Sequence, residues 1–253
     1  MTVSVFRIED PSWLSNAYLV TDAPGGQGVV IDTGAPQGPL IAEAERLGVT
    51  VPWILSTHFH HDHVAGNGAL ARRFGAGIGA HRLDASRVPG VTRELEDGDE
   101  IRAGALTVRV LHIPGHTAGQ AAFLVGAGDA FDDVFTGDTL FRRSVGGCVG
   151  PGATGFADLR RSLVERLLAL PDPVAVHPGH TLPTTIGEER RENPFLRVML
   201  GAEPPGRERC RALGRPATLI VHARDYDGGT KAWVRFEDDG TEATVPGSRV
   251  EAA

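Results

Sequence analysis

Apolar runs of strand length recur in the first part of the chain, near residues 3 to 8, 17 to 21, 28 to 32 and 52 to 56, several bounded by Gly, Pro, Asn or Asp. Helical spacing follows in PLIAEAERLG near 38 to 47, closing on Gly48, and in VAGNGALARRF near 64 to 74, ending at Gly75. The alternation returns further on, with strands expected near 106 to 113, 121 to 125 and 133 to 137, a helix near 157 to 170 and a strand at 173 to 177. In that helix Leu159, Leu163, Leu167 and Leu170 form one apolar face, and Arg160, Arg161 and Glu165 turn outward. Two similar halves that mix strands with outer helices predict sheets packed between helices.

Beyond about residue 205 the pattern changes. PPGRERCRALGRP reads as a polar connector with a short helix, and ATLIVHA, KAWVRFE and TEATVP read as three strands. Asp227-Gly228-Gly229 and Asp238-Asp239-Gly240 supply the turns between them. The expectation is a small β-meander, docked on the main body or closed into a mini-barrel.

Composition narrows the classes. With 253 residues, 41% hydrophobic and 23% charged, the chain is of ordinary globular type and long enough for one or two domains. The start, MTVSVFRIEDPSW, lacks the basic and apolar regions of a secretory signal, and no run approaches the length of a membrane helix, so a cytoplasmic protein without membrane contact is expected. Cys148 and Cys210 form no C-x-x-C pair and read as free thiols. A net charge of -7 without a basic run argues against a nucleic-acid partner and leaves a small molecule as the expected one; a homo-oligomer is compatible with all of this.

The chemistry is concentrated in Ser56-Thr57-His58-Phe59-His60-His61-Asp62-His63, directly after the apolar run at 52 to 56. Three imidazoles and a carboxylate are costly to bury without a compensating ion, and a tight loop after a strand aims His58 and His60 at one centre and Asp62 and His63 at a second. Such ligands suit Zn²⁺ first, with Fe²⁺ or Mn²⁺ as alternatives. His61, His81, His112, His177 and His222 read as packing or surface residues, and Asp225-Tyr226-Asp227-Gly228 as a turn whose later calcium ligands are missing.

The H-x-H-x-D-H pattern resembles that of the metallo-β-lactamase superfamily. Pro114-Gly115-His116-Thr117, Thr136-Gly137-Asp138-Thr139-Leu140-Phe141 and Pro178-Gly179-His180 look like the family's later motifs, in order, and Val30-Ile31-Asp32-Thr33-Gly34 like its early strand-turn. The resemblance implies an α/β (α+β) fold, the αββα four-layer sandwich, over residues 1–204, with 205–253 as a small β extension. It also implies two divalent metal ions: His58, His60 and His116 for the first, Asp62, His63 and His180 for the second, Asp138 as the bridge, and Asp32 as the support of a ligand histidine. Asp62 and Asp138 are the carboxylates expected to take part in catalysis.

GDTLF, and the stretch from Pro183 to Phe195 containing Thr184-Thr185-Ile186-Gly187-Glu188, resemble compact bacterial glyoxalase-II-like (hydroxyacylglutathione hydrolase-like) enzymes. The implied reaction is hydrolysis of a thioester or similar acyl conjugate; a thiolate, with a reference pKa of about 8.5, leaves with little acid assistance. A single-iron persulfide dioxygenase and a lactone or β-lactam hydrolase are the alternatives. After Phe141 the sequence departs from glyoxalase II proper. Arg142 and Arg143 begin that altered loop, either as anchors for an anionic substrate group or as a solvated pair.

Overall fold

The computed structural model describes residues 3–128 and 130–253. β1 (Ser4–Glu9), β2 (Asn16–Thr21) and β3 (Gln27–Ile31) form an antiparallel meander, and α1 (Gln37–Leu47) returns the chain to β4 (Thr50–Ser56), parallel to β3. Two short helices, α2 (His61–Val64) and α3 (Asn67–Phe74), lead to β5 (Gly77–His81), and α4 (Arg82–Ala85) leads to β6 (Arg93–Leu95). The six strands lie in sequence order in one sheet.

The second half builds a second sheet. β7 (Glu100–Ala103), β8 (Leu106–His112), β9 (Ala121–Ala127) and β10 (Asp133–Gly137) run antiparallel, and a small hairpin, β11 (Leu140–Phe141) and β12 (Ser144–Val145), follows. α5 (Phe156–Arg161) continues as a π-helical stretch, Ser162–Leu167; β13 (Ala175–Pro178) then joins β10 in parallel and β14 (Thr184–Thr185) forms the edge. α6 (Ile186–Glu192) and α7 (Pro194–Met199) cover this sheet's outer side.

Period-two alternation sorts the side chains into layers. From the first sheet Tyr18, Val20, Val29, Ile31 and Leu55 meet Val108, Val110, Phe123, Val125 and Phe135 of the second, forming the core between the sheets. Their neighbours Leu19, Val30 and Ile54 pack outward on Leu40 and Ala44 of α1 and Leu70 of α3. On the far side Leu124, Val134 and Val176 meet Leu159, Leu163, Leu167 and Phe195. Helices outside two facing sheets make the αββα sandwich that the resemblance implied.

Three local expectations are corrected. The helix expected over 64 to 74 is split at Gly66, whose N–H bonds the Thr33 carbonyl at 3.1 Å; a Cβ there would lie 2.5 Å from that oxygen, so the chain needs glycine to pass. The helix expected to 170 ends at Leu167, leaving Leu170 partly buried beyond it. The connector holds a strand rather than a short helix: in β15 (Glu208–Ala212) Cys210 and Ala212 are buried while Arg209 and Arg211 are exposed, a period of two that pairs with β16 (Arg215–Arg224).

β17 (Thr230–Phe236), β18 (Glu242–Pro246) and β19 (Val250–Ala252) complete a five-stranded antiparallel sheet of order β18-β17-β16-β15-β19. Its buried face shares one continuous core with α5 and α7; Trp233 lies on Phe156 with ring centroids 4.8 Å apart. Burying a side chain of this class contributes about 1.5–3 kcal/mol, so the sheet is docked through its own apolar face.

Candidate metal centre

Strand ends, tight turns and one short helix carry the residues of the centre. β4 runs into His58 and His60, α2 carries Asp62 and His63, the loop after β8 carries His116, and Asp138 and His180 follow β10 and β13. Because β10 and β13 are parallel neighbours, Asp138 and His180 emerge side by side, and Gly179 packs so closely that a Cβ would fall 2.2 Å from Asp138 Oδ1. That close approach explains the glycine of Pro178-Gly179-His180.

All seven residues singled out in the sequence converge. His60 Nδ1 stands 3.1 Å from His58 Nε2 and 3.0 Å from His116 Nε2. Asp62 Oδ2 stands 3.4 Å from His63 Nε2 and 3.6 Å from His180 Nε2. Between the groups, Asp138 Oδ1 lies 3.4 Å from His63 Nε2, and Oδ2 lies 3.5 Å from His116 Nε2 and 3.3 Å from His180 Nε2. Ligands of a tetrahedral ion about 2.0–2.1 Å away would stand about 3.3 Å apart, so both triads have the spacing of a coordination shell.

The outward nitrogens fix the tautomers. His63 Nδ1–H donates to Asp32 Oδ2 at 2.9 Å, His116 Nδ1–H to the Gly147 carbonyl at 2.8 Å, His180 Nδ1–H to the Leu14 carbonyl at 3.0 Å, and His60 Nε2–H to the Pro151 carbonyl at 3.0 Å. The Thr57 hydroxyl donates to Asp32 at 2.8 Å, which leaves it to accept from His58 Nδ1–H at 3.0 Å. In its neutral form each imidazole therefore turns an unprotonated nitrogen to the centre, the form a metal requires. Asp32 is buried in a left-handed conformation, φ 55°, with its carboxylate on both Thr57 and His63.

A fit test lies in the orphaned atoms. His63 Nε2 and Asp138 Oδ1 are buried without a hydrogen-bond partner. Such a group costs about 1–3 kcal/mol unless something satisfies it, and a cation held by Asp62, His63 and His180 with Asp138 would satisfy both. The electrostatics agree. Burial would raise the Asp138 carboxyl, but the imidazoles of His180, His63 and His116 outweigh it and hold it well below the carboxylate range. Burial pushes the His116 imidazole down to about 4. The donor set of imidazoles and carboxylates fits a divalent ion of the zinc, iron or manganese type.

The other sequence assignments also find places. His61 is exposed and outside the triads, and His81, His112, His177 and His222 lie away from them; His81 stacks on His112 and His177 pairs with Asp133. Both cysteines are free and buried. The stretch from Thr184 to Phe195 is a brace: Thr185 caps α6, Asn193 caps α7, and buried Glu189 accepts from Thr184, Asn193 and the Arg143 N–H. It thereby holds the loop that follows Asp138. Arg143 pairs with Glu192, so its guanidinium is committed to that brace.

Two supports escaped the sequence reading. Asp84 of α4 accepts from the Thr117 hydroxyl at 2.7 Å and the Gly119 N–H at 2.9 Å, fixing the His116 loop; one aspartate in a short helix carries no sequence signal. The C-terminal sheet reaches the centre twice. Tyr226 stacks on His180, centroids 4.1 Å apart at 16°, and Thr244 bonds the loop at Gly146 and Cys148, on either side of the carbonyl that orients His116. Among the described residues, no helix is long and apolar enough to cross a membrane.

Two facing sheets clad in helices, with a His/Asp centre where their strands end, define a class of metal-dependent enzymes. A family model described as the metallo-beta-lactamase superfamily matches residues 11–180, and the chain belongs to that superfamily, in its glyoxalase-II-like branch. It is 36% identical over 239 residues to the hydroxyacylglutathione hydrolase of Synechococcus sp., covering 90% of this chain and 87% of that one. Among solved structures it is similar to ETHE1 from Myxococcus xanthus, with a TM-score of 0.68 and 31% identity over 80% of this chain and 92% of that one. TTHA1623 in a di-iron-bound form is similar at a TM-score of 0.63 and 36% identity, over 76% of this chain and 100% of that one.

Proposed function

We propose that the chain is a two-metal hydrolase that cleaves a thioester or similar acyl conjugate of a low-molecular-weight thiol. The observation that carries this reading is the Asp138 carboxylate, whose Oδ2 lies between the triads, 3.5 Å from His116 Nε2 of one and 3.3 Å from His180 Nε2 of the other, with Oδ1 3.4 Å from His63 Nε2. His58, His60 and His116 would hold one ion and Asp62, His63 and His180 the other, with Asp138 shared and zinc as the proposed metal. Such a pair, when bound, would supply a water acidic enough to ionise near neutral pH and an electrophile for the substrate carbonyl.

The chain's own groups supply the rest. Asp32 and the Gly147, Leu14 and Pro151 carbonyls hold the imidazoles in the binding tautomer. Asp62, the more exposed of the two carboxylates at 18% against 9% for Asp138, would be the one to take up the proton such a water releases. Cleavage breaks the acyl C–S bond and frees a thiolate that needs little protonation, which suits a site whose imidazoles are all turned to the metals. The likeness to a hydroxyacylglutathione hydrolase over 90% of the chain supports the same substrate class.

Incubating the two-zinc protein with S-lactoyl and S-formyl conjugates of glutathione and mycothiol should release free thiol; no release from any of them overturns the reading. A persulfide dioxygenase with a single iron is the second reading, favoured by the likeness to ETHE1. Oxygen uptake with a persulfide by protein holding one iron would put it first.

A further inference from the structure

Beside His180 lies a cavity of about 350 Å³, walled on one side by Arg142 and Thr181 and on the other by Arg224 and Tyr226 of the C-terminal sheet. We propose that this cavity is a substrate subsite for a carboxylate, that Arg142 and Arg224 bind it, and that the C-terminal sheet is thus part of the active site. The proposal rests on the hydrolase reading and names the class of substrate: thioesters with a carboxylate close to the sulfur.

Charge is the first reason. Arg142 and Arg224 have no ion-pair or hydrogen-bond partner among the described residues, whereas Arg143 is paired with Glu192. The cavity's one acid, Asp225, is neutralised: its Oδ2 lies 2.9 Å from Lys231 Nζ and its Oδ1 accepts from the Ser144 hydroxyl at 2.8 Å. Two guanidinium groups therefore face the same space uncompensated, and a guanidinium fork matches a carboxylate. The volume is near the lower end of ligand pockets, about 300–1,000 Å³, enough for one carboxylated arm.

Placement is the second. Lys231, the only lysine in the chain, is buried with its side chain 6% exposed, as is Asp225. A buried pair of this kind is poor at stabilising a fold and good at fixing one arrangement. Here it fixes the turn after β16, setting Tyr226 on His180 and against the edge of Phe141, ring centroids 5.2 Å apart. Tyr226 is thus a wall shared by the metal centre and the cavity, so a substrate whose carbonyl reaches the centre can lay a neighbouring carboxylate between the arginines. Lys231 acts through Asp225 and is a positioning residue.

S-lactoyl-N-acetylcysteine and S-lactoyl-N-acetylcysteamine differ only in the carboxylate. The expected kcat/KM ratio is about tenfold in favour of the carboxylated thioester, the scale of one charge-assisted bond, expressed chiefly in KM. Arg224→Gln and Arg142→Gln should bring the ratio toward one, and Arg224→Lys should restore part of it. Calorimetric binding of S-methyl-N-acetylcysteine to the metal-loaded protein gives a readout independent of turnover and should weaken by a similar factor in Arg224→Gln. Equal kcat/KM for the two thioesters, or binding unchanged in Arg224→Gln, overturns the subsite while leaving the hydrolase standing. No turnover of either thioester with binding that still depends on Arg224 overturns the hydrolase reading and keeps the subsite.

Discussion

The loop His58–His63 and the turn Asp225–Gly229 approach the same centre from opposite ends of the chain, yet they are specified differently. The loop's function is written in residue type and spacing: four candidate ligands within six residues after a strand supply two to each of two adjacent metal positions. The turn's function is written in tertiary packing. Tyr226 matters because β16 and β17 dock on the outer helices and because Lys231 and Ser144 seize Asp225. A metal motif survives rearrangement of its surroundings, whereas a pocket wall depends on every contact that places it.

Substitutions should separate the two regions. His63→Ala or Asp138→Ala removes a ligand from a centre expected to supply most of the acceleration, which for enzymes is about 10⁶-fold or more; kcat should fall at least about 10³-fold, with bound metal measured in parallel. Asp32→Asn leaves every ligand in place but exchanges the carboxylate behind His63 for an amide, and metal affinity or activity should drop about 10–100-fold. Lys231→Met strands the Asp225 carboxylate in a buried setting; denaturant unfolding should show a loss of about 3–5 kcal/mol, largely recovered when Asp225→Asn is added. If Lys231→Met is neutral, the turn is not held as described.

The metal-free protein offers a pH test. Burial pulls the His63 imidazolium down, but Asp138, Asp32 and Asp62 outweigh it and hold its pKa well above 6.5. A raised folded-state pKa contributes stability that is complete below the unfolded value near 6.5 and is lost as pH rises through the folded value. Metal-free protein should therefore become less stable with rising alkaline pH. Metal affinity should move the other way, strengthening over that window as the competing proton leaves. Thermal melts with and without chelator, and metal titrations at several pH values, check both signs. The smallest effect belongs to Arg143→Gln: its pair with Glu192 is exposed, so stability should change by less than about 1 kcal/mol.

Strands and helices were legible because each rests on local periodicity; His58, His60, Asp62 and His63 were legible from their spacing, and His116, Asp138 and His180 from the likeness of their motifs to the family's. His58 to Asp62 occupy one loop, and the later ligands each follow a strand that alternation reveals. The connector at Glu208–Ala212 was misread because its alternation of arginines with small residues is too weak to announce a strand without its partner β16. Asp84, Tyr226 and Lys231 were invisible for a related reason. Asp84 gains its role from Thr117, 33 positions away, and Tyr226 from His180, while Lys231 pairs with Asp225 only because β17 folds back on β16; no spacing rule reports such contacts. Arg142 and Arg143 looked alike in sequence; the structure separates them, because Glu192 and the brace after β14 take only Arg143.

The most direct test of the two-metal centre is to count metal per chain by elemental analysis while titrating zinc into metal-free protein and following thiol release from a lactoyl thioester. The account predicts that activity rises to its maximum at two equivalents, and that Asp138→Ala does not hold both. Full activity at one equivalent, or two ions retained and full turnover without Asp138, would contradict it.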